Sequence, residues 1–438
     1  MIDCVEASQL NQNPWFASHR EIGAPINAHC TCYHNPIARF RNPTVSSNTL
    51  SIRFYHPELD VLRYFAFFLV FLHHSLPHDP AFYAGMGTGP MLASMLAALG
   101  ATGAFGVNLF FLLSSYLITE LLIRERTRFG HVDLKSFYMR RILRIWPLYF
   151  AFLALAWAMQ WFVPGQHIGW RAGLAFTLLG GNWWLVFVGY PSSVIFPLWS
   201  VSIEEQFYIF WPATMRKLSR RGLLTAAALM LAVANLTRWY LASRHTWESK
   251  IWANTFVQLD AIALGILLAV LLAGRAPRLA PFVRVALLTG GFACLALAAN
   301  YFQIKGDPLT TARVLLGYPL VAIGAVAIFL GTLREEGITG PRPDRWPTFA
   351  RIWRAWGLSP LIYLGRISYG LYVFHVLGLM ISDYTVHNQE SSLGRYFFRD
   401  AVALATTVAL AAISYRWLET PFLTLKQRFT HILSRPGG

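Results

Sequence analysis

An arginine and a histidine are spaced along a stretch that is otherwise apolar. Arg63 and His74 are eleven positions apart, with mostly aliphatic and aromatic residues between them. On an α-helix these positions fall on nearly the same face, about 16 Å apart along the axis. Ionisable groups within a membrane span are costly, face a protein interior or a wet cavity, and are functional candidates. The spacing predicts two polar groups on one inward face, with an interfacial anchor at each end as the simpler alternative.

Two adjacent carboxylates form the second candidate site. Glu204 and Glu205 lie in an apolar stretch that also carries Trp199, Ser200, Gln206 and Tyr208, which are further candidates for a substrate site or polar cavity. Neighbouring helix positions diverge by about 100°. We therefore expect one glutamate to face the cavity and the other to pair structurally. A purely structural glutamate pair is the alternative.

Three arginines form a short basic cluster. Arg140, Arg141 and Arg144 precede an apolar segment. Arginine suits phosphate better than lysine because its planar fork binds in a bidentate manner. The cluster is a candidate site for a phosphate-rich donor. Composition alone favours the alternative, a positively charged anchor on the cytoplasmic side.

Weaker signals are single polar groups inside apolar segments. Asp260 and His375 are such groups, and with His74 and the glutamates they map to the middle or one half of the predicted membrane. This common depth predicts one shared polar site, although a lone histidine is more often a hydrogen-bonded core residue. Asn108 and Ser114 are further candidates. Cys30 and Cys32 resemble metal ligands but lack a second nearby pair, so no metal site is predicted.

Composition defines the elements that must position these groups. The 438 residues are 55% hydrophobic and 13% charged, which is typical of a helical membrane protein. The net charge of +16 comes from short clusters between apolar runs, which excludes nucleic-acid binding in favour of contact with a lipid bilayer. We predict an all-α polytopic protein of about ten transmembrane helices, at 60–77, 94–122, 145–163, 198–214, 223–242, 254–273, 283–302, 311–332, 361–382 and 398–418.

Charge also predicts orientation. Lysine and arginine are concentrated in alternate connections, at 124–144, 215–222, 274–284 and 333–360. The positive-inside rule then predicts an integral membrane protein with both termini in the cytoplasm. Residues 173–189 are apolar enough to resemble an eleventh span, but an eleventh span would place the basic connection 215–222 on the outer side. We therefore predict that they form a re-entrant or interfacial segment on the outer side. The predicted organisation is a polar, poorly ordered stretch at 1–53, a transmembrane domain at 54–425 and a basic cytoplasmic tail at 426–438.

Six motifs in order resemble the membrane-bound acyltransferase-3 family, over about residues 57–425. Arg63 with His74 resembles the family's arginine–histidine signature on its first helix. The others are Gly106 to Thr119, the Arg140-Arg141-Arg144 stretch, Trp199 to Tyr208, Tyr363 to His375, and Tyr415 to Pro421. The chain departs from the family at four positions: Asn108 stands where Asp is usual, Ser115 for Gly, Gln258 for Arg and Pro197 for His.

The resemblance implies transfer of an acyl group, usually acetyl, from acyl-CoA to a sugar hydroxyl across a membrane, the bacterial inner membrane. The acceptor would be a glycan, a lipid-linked sugar or another hydroxyl compound. A hydroxyl needs a base during attack, and histidine suits that role. His74 is assigned as the base, and Glu205 or Glu204 as the group that orients it or shuttles the proton. Arg63 is assigned to the donor entrance or to the oxyanion, and the arginine cluster to the CoA phosphates. A covalent acyl-histidine is a variant of this mechanism.

Two other classes of function are compatible with parts of this sequence. A secondary transporter or flippase for a glycan intermediate suits ten spans with intramembrane ionisable groups. Transporters usually show repeated halves, and no internal repeat is present in this sequence. A regulatory membrane scaffold leaves the buried arginine, histidine and glutamates without a role.

Overall fold

The structure, a computed structural model, describes residues 55–306, 309–334, 359–386, 392–430 and 432. Within them the regular elements are helices. The polar stretch predicted at 1–53, with its cysteines, lies outside the described residues. So do the arginines of the 333–360 connection beyond Arg334 and most of the tail beyond residue 430.

The first half of the described chain contains nine helices. They are α1 Pro57–Ser75, α2 Pro80–Ala84, α3 Pro90–Gly103, α4 Gly106–Phe129, α5 Leu134–Met159, α6 Trp170–Thr177, α7 Gly181–Phe187, α8 Trp199–Lys217 and α9 Arg220–Ser243. A 3-10 turn at Phe196–Leu198 leads directly into α8.

The second half of the described chain continues the bundle. Its helices are α10 Glu248–Trp252, α11 Thr255–Leu272, α12 Pro281–Ala296, α13 Thr311–Thr332, α14 Ser359–Arg366, α15 Ser368–Val386, α16 Leu393–Ser414 and α17 Thr420–Lys426. Short π-helical stretches at Leu297–Tyr301 and Tyr415–Glu419 extend α12 and α16.

The predicted all-α polytopic class is confirmed. Among the described residues, seven helices are long and apolar enough to cross a membrane, or eight if the pair α14 and α15, bent by 81°, is one span. The other two predicted spans are α1 and α8, each 19 residues long. In both, the charged residues leave no uncharged stretch of spanning length, since α1 carries Glu58, Asp60 and Arg63, and α8 carries Glu204, Glu205, Arg216 and Lys217. The candidate catalytic residues thus lie on the two long helices outside that apolar set.

Local sequence explains where several helices begin. Pro57 starts α1, and its first turn carries Glu58 and Asp60, which favour the positive end of the helix dipole. The Asp133 carboxylate accepts from the Ser136 amide at 3.1 Å at the start of α5. Asn254 likewise caps α11 by accepting from the Phe256 amide at 2.9 Å. These caps satisfy amides that have no partner within their own helix.

A glycine allows α1 and α4 to pack closely. A Cβ at Gly106 would lie 2.2 Å from the Ala66 carbonyl oxygen, which no side chain tolerates. Helices in membranes commonly approach each other through such small residues. The contact fixes α1, and with it Arg63 and His74, against the centre of the bundle.

The segment predicted not to span is built of two short helices. Helices α6 and α7 have eight and seven residues, too few to cross a membrane. Leu179 between them has a positive φ of 57°, which turns the chain. Phe176 and Asn182 are fully buried, whereas Phe187 is exposed. The segment packs against the bundle on one side only.

Candidate functional site

His74 lies at the end of α1, and its side chain is exposed despite the apolar segment around it. Its ring contacts Phe196 edge-on at 5.4 Å between centroids and His375 at 5.1 Å. These neighbours come from the turn before α8 and from α15. His74 is therefore held by rings on two sides while one side stays open.

His375 is the buried partner of that contact. Its Nδ1 hydrogen-bonds with the Tyr372 carbonyl, so with Nδ1–H as donor the Nε2 lone pair is left as an acceptor. Nε2 is buried and has no hydrogen-bond partner among the described residues. The Tyr372 hydroxyl hydrogen-bonds with the Ser200 hydroxyl at 2.6 Å and donates to the Pro197 carbonyl at 3.1 Å. His375 is thus positioned by α15 and the start of α8, next to His74.

Two further histidines border this region. The His73 and His78 rings are stacked at 4.6 Å, His73 Nδ1 hydrogen-bonds with the Gly100 carbonyl at 3.0 Å, and His78 Nε2 with the His73 carbonyl at 3.0 Å. His78 follows α1. Partial burial lowers its pKa below the ordinary value, the charge of Lys305 lowers it further, and the His73 carbonyl opposes both. These contacts join the end of α1 to Gly100 of α3 and to His78 in the following loop.

The two glutamates diverge as adjacent helix positions must. Glu204 is partly exposed and accepts from Ser114 at 2.8 Å and from the Tyr208 hydroxyl at 2.9 Å. Glu205 is buried and accepts from the Trp146 indole at 3.2 Å. Within the described residues neither carboxylate hydrogen-bonds with His74. The orienting role assigned to Glu205 or Glu204 stays a prediction, and the ionisable rings that the structure places against His74 are those of His375 and of its chain neighbour His73.

Arg63 pairs with a carboxylate of its own helix and acts electrostatically on Glu204. It forms an ion pair with Asp60 at 3.3 Å, and about a fifth of its side chain is exposed. The charges of Arg63 and Arg141 both act on Glu204. Glu204 therefore lies within electrostatic reach of two cations, one from α1 and one from α5.

The predicted phosphate cluster divides into three environments. Arg140 is engaged by Glu125 at 3.0 Å and by the Phe429 carbonyl at 2.8 Å. Arg141 lies beside the Phe137 and Tyr208 rings, and its buried Nε has no hydrogen-bond partner among the described residues. The charge of Arg144 acts on Glu419. Arg140 and Arg141 line one pocket, with Leu121, Glu125, Phe137, Lys426, Thr430 and Ile432.

Asp260 is not part of the His74 region. Its carboxylate forms an ion pair with Arg238 of α9 at 2.7 Å, and both side chains are almost fully buried. Arg238 also donates to the Val257 carbonyl at 2.6 Å, and its guanidinium lies 4.1 Å from the centre of the Tyr318 ring. The contacts of Asp260 are those of a structural ion pair.

Two of the departures from the family pattern are in contact with each other. The Asn108 amide donates to Gln258 Oε1 at 3.1 Å, and Gln258 donates to the Trp252 carbonyl at 2.7 Å. Both side chains are buried. Where the family commonly has Asp and Arg, this chain has a neutral hydrogen-bonded pair. The two departures therefore compensate each other, and neither leaves a lone charge in the bundle.

The remaining candidates are structural neighbours of the site. Gln206 donates to Asn182 at 2.9 Å and accepts from Thr255 at 2.7 Å. Trp199 is buried and packs against Trp252 at 6.2 Å between ring centroids. These contacts join α8 to α7, α10 and α11, and they hold the helix that carries Glu204.

Sequence reasoning missed Arg238, Tyr372 and Trp146. Arg238 had a signal, an arginine inside an apolar segment, which calls for a buried partner. Tyr372 and Trp146 had none, because aromatic residues are common throughout these spans. Among the described residues, no group of three or more histidine, cysteine, aspartate or glutamate side chains is arranged to hold a metal ion.

Comparison with known proteins decides the family. The acyltransferase-3 family model, described as an acyltransferase domain, matches residues 56–416. The chain belongs to this family. The match includes Arg63, His74, the arginine cluster, both glutamates and His375, so these candidate residues lie within the family's own domain.

Relatives of this family member come from Staphylococcus aureus. A protein of strain COL named "Putative O-acetyltransferase" is 27% identical over 344 residues, 73% of this chain and 53% of that protein. The O-acetyltransferase OatA of strain NCTC 8325 / PS 47 is 26% identical over 388 residues, 84% of this chain and 57% of OatA. The chain thus spans about half the length of these relatives. No solved structure matches it.

Proposed function

We propose that this protein is a membrane O-acyltransferase, with acyl-CoA as donor and a hydroxyl of a glycan or glycolipid as acceptor. The observation that carries the proposal is a series of polar groups within the bundle. It runs from the pocket at Arg141 through Glu204 and Ser114 towards Ser200 and Tyr372, and ends at His375 and the exposed His74. The names of the relatives support acetyl as the group transferred.

Orientation follows from the charge pattern. The basic connections lie at the Arg140 end of α5, and the positive-inside rule favours that end as cytoplasmic. His74 then lies towards the outer face, with both termini in the cytoplasm. A bacterial inner membrane is the location we propose, since acyl-CoA is available on one side of it and surface glycans on the other.

The pocket beside Arg141 has the chemistry that a CoA phosphate needs. Arg140, Arg141 and Lys426 supply positive charge there. The buried Nε of Arg141 has no hydrogen-bond partner within the described part of the chain, so it can donate to a phosphate oxygen. Arg140 is already held by Glu125. We therefore assign phosphate binding chiefly to Arg141, with Arg140 and Lys426 adding charge and Arg144 outside the contact.

His74 would act as the general base. The imidazole takes the proton of the acceptor hydroxyl while the oxygen attacks the thioester carbonyl carbon. The new carbon–oxygen bond forms, the carbon–sulfur bond breaks, and the imidazolium returns the proton to the leaving thiolate. Phe196 and His375 hold the ring, and the open side of His74 admits the acceptor.

The first experiment asks whether transfer occurs and needs His74. Purified protein in lipid vesicles is incubated with radiolabelled acetyl-CoA, with and without a glycan extract, and acetylated product is separated and counted. We expect His74→Ala and Arg63→Ala to lose transfer while both variants still accumulate in membranes. His78→Gln, which removes a histidine from the same helix end, is the matched control. Full activity in a folded His74→Ala protein would overturn the mechanism, and transport without acetylation would favour a flippase.

The donor site is tested by kinetics. Replacing Arg141 with Gln should raise the KM for acetyl-CoA about tenfold, because a charge-assisted hydrogen bond to phosphate is lost. The acceptor KM should not change. Arg144→Gln is the control arginine from the same cluster. Equal KM values for acetyl-CoA in the two variants would mean that Arg141 serves only as a positively charged anchor on the cytoplasmic side.

A further inference from the structure

The end of α1, one residue beyond His74, is held by two side chains of α16. The Tyr396 hydroxyl donates to the Ser75 carbonyl, and Arg399 donates to the same carbonyl at 3.3 Å. Tyr396 is buried, and the Arg399 guanidinium lies 4.2 Å from the centre of its ring. A cation is favourable at a helix C-terminus, where carbonyl groups have no partner within the helix.

The same arginine also reaches the helix that carries His375. Arg399 forms ion pairs with Asp383 of α15 at 3.4 Å and with its neighbour Asp400 at 2.8 Å. Its side chain is largely covered, with 12% exposed. One guanidinium therefore links the ends of α1 and α15, the two helices whose histidines meet at 5.1 Å.

We infer that Tyr396 and Arg399 are positioning residues for His74. They fix the last turn of α1 relative to α15 and so keep the His74 ring against His375 and Phe196. This inference rests on the proposed function, because it gives His74 the role of base. A base must stay within hydrogen-bond reach of the proton it takes, and a displacement of 1 Å can cost about 100-fold in rate.

The chain offers a matched control at the end of another helix. Arg284 of α12 donates to the Gly331 and Leu333 carbonyls, at 3.1 and 2.7 Å, at the end of α13. It therefore caps a helix end as Arg399 does. It has no contact with His74, His375 or the Arg141 pocket among the described residues. A purely structural role for Arg399 predicts the same consequences for both arginines.

The kinetic test compares Arg399→Gln, Tyr396→Phe and Arg284→Gln in vesicles with labelled acetyl-CoA. We expect Arg399→Gln to lower kcat about 10- to 100-fold at an unchanged KM for acetyl-CoA. Tyr396→Phe should give a smaller fall, and Arg399→Lys should recover part of the rate because it keeps a donor and a charge. If Arg399→Gln lowers kcat no more than Arg284→Gln, the inference is wrong. Tyr396→Phe removes a single oxygen, so it provides the test of the inference if Arg399→Gln does not fold.

A second measurement does not depend on activity. Diethyl pyrocarbonate carbethoxylates accessible imidazoles, and mass spectrometry resolves the modified histidine. The rate at His74 should change several-fold in Arg399→Gln and stay unchanged in Arg284→Gln. An unchanged His74 rate in Arg399→Gln would overturn the positioning role. If the native protein transfers no acetyl group but the His74 rate still changes in Arg399→Gln, the positioning role stands and the proposed function is rejected.

Discussion

Two polar regions lie inside the bundle, and they differ in whether solvent or substrate can reach them. In the first, His74 is exposed, Glu204 is partly exposed, and His375 keeps a ring nitrogen without a partner among the described residues. In the second, α11 carries two polar pairs, Gln258 with Asn108 and Asp260 with Arg238. All four side chains of these α11 pairs are buried.

The difference separates chemistry from architecture. A group that reacts must be reachable, as the exposed His74 is, and the buried His375 beside it keeps a ring nitrogen open. A group that joins helices is covered and bound by its partners, as Arg238 and Gln258 are. Depth in the membrane does not distinguish them, since both regions occur in apolar segments. Exposure does, and it decides which polar residue is a candidate for catalysis.

The ion pair on α11 should give the largest loss of stability. Arg238→Met leaves the Asp260 carboxylate buried without its cation, at a cost of about 3–5 kcal/mol. Unfolding in mixed micelles titrated with sodium dodecyl sulfate measures the change. The double variant Arg238→Met/Asp260→Leu should recover most of the loss, because apolar residues replace both charges. If Arg238→Met is as stable as the native protein, the Arg238–Asp260 ion pair does not contribute to the stability of the core.

The neutral pair should respond to an added charge. Asn108→Asp buries a carboxylate against the Gln258 side chain, and we expect a loss of about 3 kcal/mol. Adding Gln258→Arg restores the charges usual in the family and should recover at least about 1 kcal/mol of it by direct coupling. The same micelle titration on both single variants and the double variant gives the coupling. Strictly additive losses would mean that the two positions do not contact each other.

The third prediction concerns the spacing of α4 and α11. A Cβ at Gly265 would lie 2.0 Å from Ser115 Oγ and 2.4 Å from the Leu112 carbonyl oxygen. Gly265→Ala should therefore cost about 1–3 kcal/mol through overpacking. Ser115→Gly in the same chain should return part of that loss, because the side-chain overlap disappears and the carbonyl overlap remains. Gly290→Ala, where a Cβ has open space, is the control.

The smallest change in stability belongs to the residue with the largest effect on activity. His74→Ala removes a side chain that is exposed, and we expect the free energy of unfolding to change by less than about 0.5 kcal/mol. Transfer of labelled acetyl should nonetheless be lost. A loss of stability comparable to that of Arg238→Met would make His74 architectural and would remove the contrast between the two regions.

Register explains how the unusual residues of α4 fit this chain. Asn108 and Ser115 are seven positions apart, and so are Gln258 and Gly265, which is about two helical turns. Asn108 meets Gln258 and Ser115 meets Gly265, so α4 and α11 run parallel in matched register. The sequence displays each departure separately. Their compensation appears only when both helices are in place.

Much was accessible from the sequence because it depends on local chemistry. Apolar segments of near-spanning length determined the all-α membrane class, and motif order identified the family. The eleven-residue spacing placed Arg63 and His74 on one helix, and the divergence of Glu204 from Glu205 follows from helix geometry alone. These features need no knowledge of which helices are neighbours.

Tertiary structure decided which polar groups meet. Asp260 had the same sequence context as a cavity residue, and its partner Arg238 lies on a different helix. His74 and His375 are about 300 positions apart, and no periodicity connects them. The physical reason is that a polar group inside a membrane protein must find its partner across helices. The sequence shows which groups need partners, and helix packing determines whether each one becomes part of the scaffold or remains open for chemistry.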